Sequence, residues 1–457
     1  MGIVLKGGTV VNADSVERQD LRIDGPVIDR LGFGMETAGD EVVDVSGCCL
    51  FPGGIDPHTH FDLEVGSTVT ADDFATGSRA ALMGGTTTVI DYATQSRGGS
   101  LAEALSAWHA KARGKSFTDY GFHLALCDCR EEILQELATL PQNHGVTSVK
   151  LYLAYKNVMQ VDDASLLKVM RLCREQGLRV CLHCENGDVI AELVKEAKAA
   201  GRMTPEQHAL ARPEAVEAEA VYRAICLTEI TGCPLYIVHV STERALNLIR
   251  DAQGRGLPVT AETCPQYLLL DESCYAKADF EAAKYVMSPP LRDRRNQAGL
   301  WRGLIDGSIF CVGSDHCSFN WHGQKELGRQ DFSLIPNGAP GVENRFGLLY
   351  TFGVGAGRLS LQEFVRATST NAAKLFGLYP KKGKLDAGSD ADIVVWDPGR
   401  RTLIGVANQK QNVDYNTYEG MKQDGAVRHV FLQGRQVVRD GKLQGGPLGK
   451  YLPRRTV

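Results

Sequence analysis

The chain has 457 residues, 43% hydrophobic and 23% charged, with a formal net charge of −5, the balance of an ordinary folded protein. Without a basic surplus, nucleic acid is set aside as a partner, and no apolar run approaches the roughly 20 residues that span a bilayer. This length predicts one large domain of roughly 250–350 residues with a smaller annex.

The opening residues lack the charged, apolar and cleavage-site regions of a signal peptide, and Lys6 stands where a myristoylation motif wants Ser or Thr. A cytoplasmic location is expected. The 13 cysteines are scattered and odd in number, which predicts reduced thiols and not a disulfide framework.

Residues 1–50 alternate short β-rich pieces ("GIVLKGGTVV", "DLRIDGPVIDRLG", "EVVDVSGCCLF") with Gly and Asp turn signals, the pattern of a small antiparallel sheet. From 51 to 376, short apolar strands alternate with helical patterns, as βα units of a parallel sheet do. The predicted strands are 53–60, 86–93, 119–126, 147–154, 178–184, 235–241, 258–264 and 309–315. That number makes a closed (β/α)8 barrel the economical α/β fold. "DASLLKVMRLCREQG" and "EAEAVYRAICLTEITG" read as helices ending in Gly. Residues 377–457 return to β patterns, so both ends are read as one β domain, with "YLPRRTV" as a tail.

Barrel strands are buried, so a titratable residue near a strand's C-terminal end needs a partner or a task. His58 and His60, Lys150, His183, His239 and Asp315 all stand at such ends, the rim where these barrels build active sites. Two imidazoles two apart share one strand face, and imidazole with carboxylate suits zinc, manganese, iron or cobalt. The other seven histidines are read as surface or satisfied core residues, with His316 nearest the site in sequence.

Lys150 has three readings: a stem along apolar surface with its head in water, a Schiff-base or general-base amine, or a carbamate formed with carbon dioxide that bridges two cations. Six candidate ligands exceed the needs of one metal. "CLHC" has CxxC spacing, but Cys181 and Cys184 point to opposite faces of a strand and are read as apolar fillers.

The segments "GGIDPHTH", "TSVKLYLAYKN", "HCENGDVI", "YIVHVS", "ETCPQYL", "KYVMSPPLR", "GSDHCSF", "QKELGRQDFSLIPNG" and "VDYNTYEGM" together resemble cyclic amidohydrolases of the hydantoinase and dihydropyrimidinase group, in the expected order and over the whole chain. The resemblance implies a (β/α)8 barrel with a β-sandwich from both termini. It implies two divalent metals, zinc with manganese or cobalt as alternatives. His58, His60 and Asp315 would hold one, His183 and His239 the other, with N6-carboxylated Lys150 and a hydroxide between them.

The implied reaction is hydrolytic opening of a small cyclic amide. Asp315 is the acid/base, since it stays ionised beside a metal. By the resemblance, Tyr155 stabilises the oxyanion, and Ser288 and Asn337 hold the ring largely through backbone atoms. Leu63, Tyr152 and Met159 are the candidates for its substituent pocket. Homotetramers are common among such relatives. Allantoinase or dihydroorotase chemistry is the second reading, although no cationic anchor for a substrate carboxylate is identified. A non-catalytic scaffold is the third, and the complete ligand set argues against it.

Overall fold

The computed structural model describes residues 2–139 and 143–456. Eight parallel strands pair in sequence order: β1 (Gly54–Thr59), β2 (Thr86–Thr94), β3 (Asp119–Ala125), β4 (Ser148–Tyr152), β5 (Arg179–His183), β6 (Leu235–Ile237), β7 (Val259–Thr263) and β8 (Cys311–Val312). A Thr59–His316 bridge and a 2.8 Å bond from the His60 amide to the His316 carbonyl join the first strand to the chain leaving the last. The sheet thereby closes, as the βα alternation predicts.

Six strands lie within about two residues of their predicted limits; β6 and β8 are shorter. Their ladders stop at Ile237 and Val312 because His239 and Asp315 take left-handed backbone conformations, with φ of 41° and 51°. An extended ladder cannot contain such residues, and the sharp turns bring both side chains over the rim.

Helices cover the outside. The two helical patterns appear as Asp163–Glu175 and Glu214–Thr231, followed by left-handed Gly177 and Gly232, which satisfies terminal carbonyls without a Cβ penalty. Side chains of Asp73, Ser100, Asp162, Asn186 and Thr242 accept amide hydrogens at helix starts, so these five turns from strand to helix have a defined exit.

The two chain ends meet in one seven-stranded sheet: Cys49–Pro52 pairs antiparallel with Ile393–Leu403 and parallel with Thr9–Val11. A four-stranded sheet packs on it, with Leu5, Leu21, Ile28, Leu50, Ile393 and Phe431 in the shared core. At the seam with the barrel, Lys382 is buried among Asp119, Asp390 and Asp392.

The segment read as a tail does not hang free. β3 pairs with β4 only at Leu124 and Ala125, leaving backbone groups open in its first half. Residues 450–454 fill that gap: Tyr120 N–H donates to the Lys450 carbonyl and accepts at its own carbonyl from Leu452. Buried Arg454 donates to Ser148 Oγ at 3.0 Å and to the Phe122 carbonyl.

Candidate metal centre

β1 delivers His58 and His60 to the rim, and Asp91 on β2 holds the end of β1 in place. The Asp91 carboxylate accepts from Thr59 Oγ1 at 2.7 Å, the Phe61 amide at 2.9 Å and Trp108 Nε1 at 2.9 Å. Asp315 then arrives across the barrel seam. Its Oδ1 lies 3.1 Å from His58 Nε2 and 3.4 Å from His60 Nε2, so two imidazoles and a carboxylate converge within the reach of one cation.

A second group lies alongside. His183 Nδ1 and His239 Nε2 are 2.9 Å apart, and the His58 and His239 rings are 5.5 Å apart between centroids. Burial lowers both His183 and His239, and brings His60 down to about 4, so these rings are neutral and have lone pairs to offer. His58 differs. Burial works to lower it, but Glu262 and Asp315 outweigh that and push it up to about 9. Burial also opposes ionisation of Asp315, yet the neighbouring His58 and His60 hold its carboxyl well below the ordinary range.

Lys150 is buried between two tyrosine rings, its Nζ 4.6 Å from the Tyr92 centroid and 5.2 Å from that of Tyr152. Burial lowers its amine, and among the described residues no carboxylate stands within salt-bridge distance of it. The surface-stem reading of this lysine therefore fails, because its head does not reach water. The donor set fits a metal centre: His239 Nδ1 is buried without a hydrogen-bond partner, and the neutral rings of His60, His183 and His239 beside an ionised carboxylate are a divalent cation's ligands, which His58 would join by giving up its proton to the cation.

The other predicted residues fall into three places. Tyr155, at φ 65°, brings its ring to 5.3 Å from His183 and lies beside Ser288. Its carbonyl accepts three amides, from Val158, Met159 and Gln160, which curls the loop so that Met159 joins Tyr152 and Tyr155 in one apolar cluster. The fit is close: a Cβ on Gly187 would stand 2.7 Å from Ala154 Cα. Leu63 packs with a different cluster, on the loop after β1, and Asn337 is half-buried beside Gly338. Cys181 and Cys184 belong to separate apolar clusters, as two filler side chains should.

Several supporting residues lay outside the sequence reading. Glu262 of β7 bonds His58 Nδ1 and accepts from Tyr236 OH at 2.7 Å, the carboxylate–histidine support that orients a metal-binding imidazole. Glu185 does the same for His183 Nε2 at 2.9 Å, and His183 with Arg212 hold its carboxyl at about 2 against the effect of burial. His316 is not a rim ligand: its ring bonds Asp72 at 3.0 Å and the amides of Gly341 and Val342.

The Amidohydrolase family model matches residues 49–437. The chain is 47% identical to a D-hydantoinase of Geobacillus stearothermophilus, over 99% of this chain and 96% of that protein. This chain belongs to the amidohydrolase family. Its structure superposes on the dihydropyrimidinase from Brevibacillus agri NCHU1002 with a TM-score of 0.99 at 47% identity, covering 100% of this chain and 99% of that one. For the D-hydantoinase from a Bacillus sp. AR9 the TM-score is 0.98 at 48% identity, with the same coverage. Amidohydrolases are generally dinuclear metal-dependent enzymes, in keeping with the two neighbouring ligand groups at this rim. Among the described residues, no helix is long and apolar enough to cross a membrane.

Proposed function

We propose that this chain hydrolyses five- and six-membered cyclic ureides and imides: D-5-substituted hydantoins to N-carbamoyl-D-amino acids, and 5,6-dihydropyrimidines to N-carbamoyl-β-amino acids. One observation carries the reading. Side chains at the ends of β1 and β5 and just beyond β6 and β8 gather at one rim, with Lys150 of β4 buried against the same Tyr92 ring that meets His58 and His60, in a chain whose full-length relatives bear the names D-hydantoinase and dihydropyrimidinase.

In this reading His58, His60 and Asp315 would hold one divalent cation and His183 and His239 a second, and Lys150, carboxylated on its Nζ, would be a ligand to both. Zinc is the first choice, manganese or cobalt the alternatives. Such cations, when bound, polarise a carbonyl and ease the ionisation of water. Lys150 suits carboxylation because burial lowers its amine against the pull of Asp315 and Glu262; adding carbon dioxide and losing a proton to solvent makes it an anion that offsets cation repulsion.

Asp315 takes the proton of the attacking water as the new C–O bond forms, then returns it to the ring nitrogen as the C–N bond breaks. Tyr155 donates its hydroxyl hydrogen toward the carbonyl oxygen as that atom gains charge. Main-chain groups at Ser288 and Asn337 hold the ring's amides, and Tyr152, Met159 and Leu63 meet its substituent. Met159 is flexible enough to follow several shapes.

The same reading takes 51–376 as the catalytic barrel, 1–50 with 377–457 as one β-sandwich, and the working enzyme as a cytoplasmic homotetramer. Pairing of Cys49–Pro52 with Ile393–Leu403 supports the division, and the likeness of "VDYNTYEGM" to a contact-building family segment supports the assembly.

The test is turnover of racemic 5-substituted hydantoin and of dihydrouracil by metal-loaded protein, with chiral analysis. A D-N-carbamoyl product is expected. An L product would overturn the stereochemistry, and turnover confined to allantoin or dihydroorotate would move the substrate to that class.

A further inference from the structure

Lys325 is a buried lysine for which the mechanism above has no task; burial lowers its amine to about 7, and what holds the ammonium form is its set of acceptors. Its residue is 0% exposed, and among the described residues no carboxylate lies within salt-bridge distance. Instead its Nζ donates to three carbonyls: Val286 at 2.8 Å, Pro336 at 2.7 Å and Gly338 at 2.7 Å. An ammonium has three N–H bonds, and all three are used.

Those carbonyls come from two segments remote in sequence. One is 286–288, ending in Ser288; the other is 336–338, centred on Asn337. The Gly338 amide also donates to the Val286 carbonyl at 3.0 Å. The second segment is pressed against the chain that leaves β8, since a Cβ on Gly338, at φ 150°, would stand 2.3 Å from the Cys317 carbonyl oxygen. On its other side the first segment is held by buried His208, whose Nε2 donates to the Met287 carbonyl at 2.9 Å. Lys325 is itself fixed by its amide, which donates to Asn320 at 2.9 Å.

Burying an ammonium is unfavourable unless its hydrogens are all bonded, and ion-assisted bonds are short and directional. A neutral backbone bond already ties the two segments. The ammonium adds a fixed distance and angle between them, and main-chain groups that bind a planar ring from two sides need that fixed geometry. We infer that Lys325 is a positioning residue for the substrate: it clamps the segments bearing Ser288 and Asn337 at the spacing that lets their main-chain groups hold the two amides of a cyclic ureide. This rests on the proposed function, in which those two positions bind the ring.

The experiment compares metal-loaded, full-length wild type with Lys325→Met and Lys325→Gln, using hydantoin and dihydrouracil as substrates. Methionine keeps length without donors, and glutamine keeps two. A ring-holding interaction present equally in ground and transition states appears in KM alone. For Lys325→Met the expected result is a KM raised at least about tenfold, kcat within about threefold and metal content per chain unchanged. Lys325→Gln should fall between it and wild type.

An unchanged KM, or a loss of kcat at constant KM, would overturn the assignment. If only Lys325→Met is insoluble, the KM split is read on Lys325→Gln; insolubility of both would make Lys325 a folding brace and overturn the positioning role. Failure of the underlying reading is distinguishable. It shows as a wild type that turns over neither ring, and it removes the ring-holding role with it.

Discussion

At the seam between the barrel and the flanking sheets, Lys382 Nζ lies 2.8 Å from Asp119 and 3.3 Å from Asp390, and bonds Asp392 as well. Lys150 at the rim is buried too, yet among the described residues no carboxylate stands within salt-bridge distance of it, and its Nζ faces the rings of Tyr92 and Tyr152. The carboxylates at the seam raise the Lys382 ammonium above its ordinary range, whereas burial lowers that of Lys150. The contrast separates a charge cluster that is complete within the chain from one that is not. A fold can use the first kind as it stands; the second marks where something from outside the chain belongs.

Four substitutions test that contrast. Lys150→Ala should have the largest effect, with turnover reduced by at least about 10⁴-fold and metal lost, because the bridging anion of the proposed centre would go with the side chain. Partial return of activity with added small carboxylates, followed by kinetics and metal analysis, checks it. Lys382→Met should do the reverse. It should lower stability by about 3–5 kcal/mol, since it strands buried carboxylates, while metal content and kcat stay at wild-type values.

The pH dependence of the Lys382 effect has a definite sign. A lysine whose folded pKa is raised contributes stability that is fully present below the ordinary value of 10.5 and is lost as pH rises through the folded pKa. Thermal melts should therefore show the same deficit for Lys382→Met at pH 7 and pH 9. A deficit that shrinks across that window would contradict the assignment.

Tyr155→Phe should lower kcat about 10²-fold, roughly 2.7 kcal/mol of barrier, with KM little changed; steady-state kinetics on hydantoin reads this directly. Glu262→Gln should have the smallest effect. It should weaken metal affinity by about 10- to 100-fold, because His58 Nδ1 loses its carboxylate partner. Chelator competition measures it.

The barrel was legible because short apolar runs alternate with helical patterns along the chain, and the titratable residues toward the C-terminal ends of those runs picked out His58, His60, Lys150, His183, His239 and Asp315 together. Glu262 stands toward such an end in "PVTAETC" and could have been found in the same way. Lys325 could not. "HGQKELGRQ" reads as a polar surface loop, and its burial is set by carbonyls from segments about 10 to 40 positions away, which leave no local pattern. Arg454 is similar: a gap beside β3, invisible in "YLPRRTV", turns an apparent tail into part of the barrel's lining. The shortening of β6 and β8 was hidden for another reason. Left-handed φ at His239 and Asp315 belongs to residue types for which the sequence carries no glycine signal.

A dinuclear metal centre whose bridging anion is made on Lys150 would lose metal with that side chain. Metal content per chain, determined by mass spectrometry on purified wild type and on Lys150→Ala, is the measurement that decides this. About two metals per chain in the wild type and clearly fewer in the variant is the predicted result. Two metals retained in Lys150→Ala, or none in the wild type after growth with zinc or manganese, would contradict it.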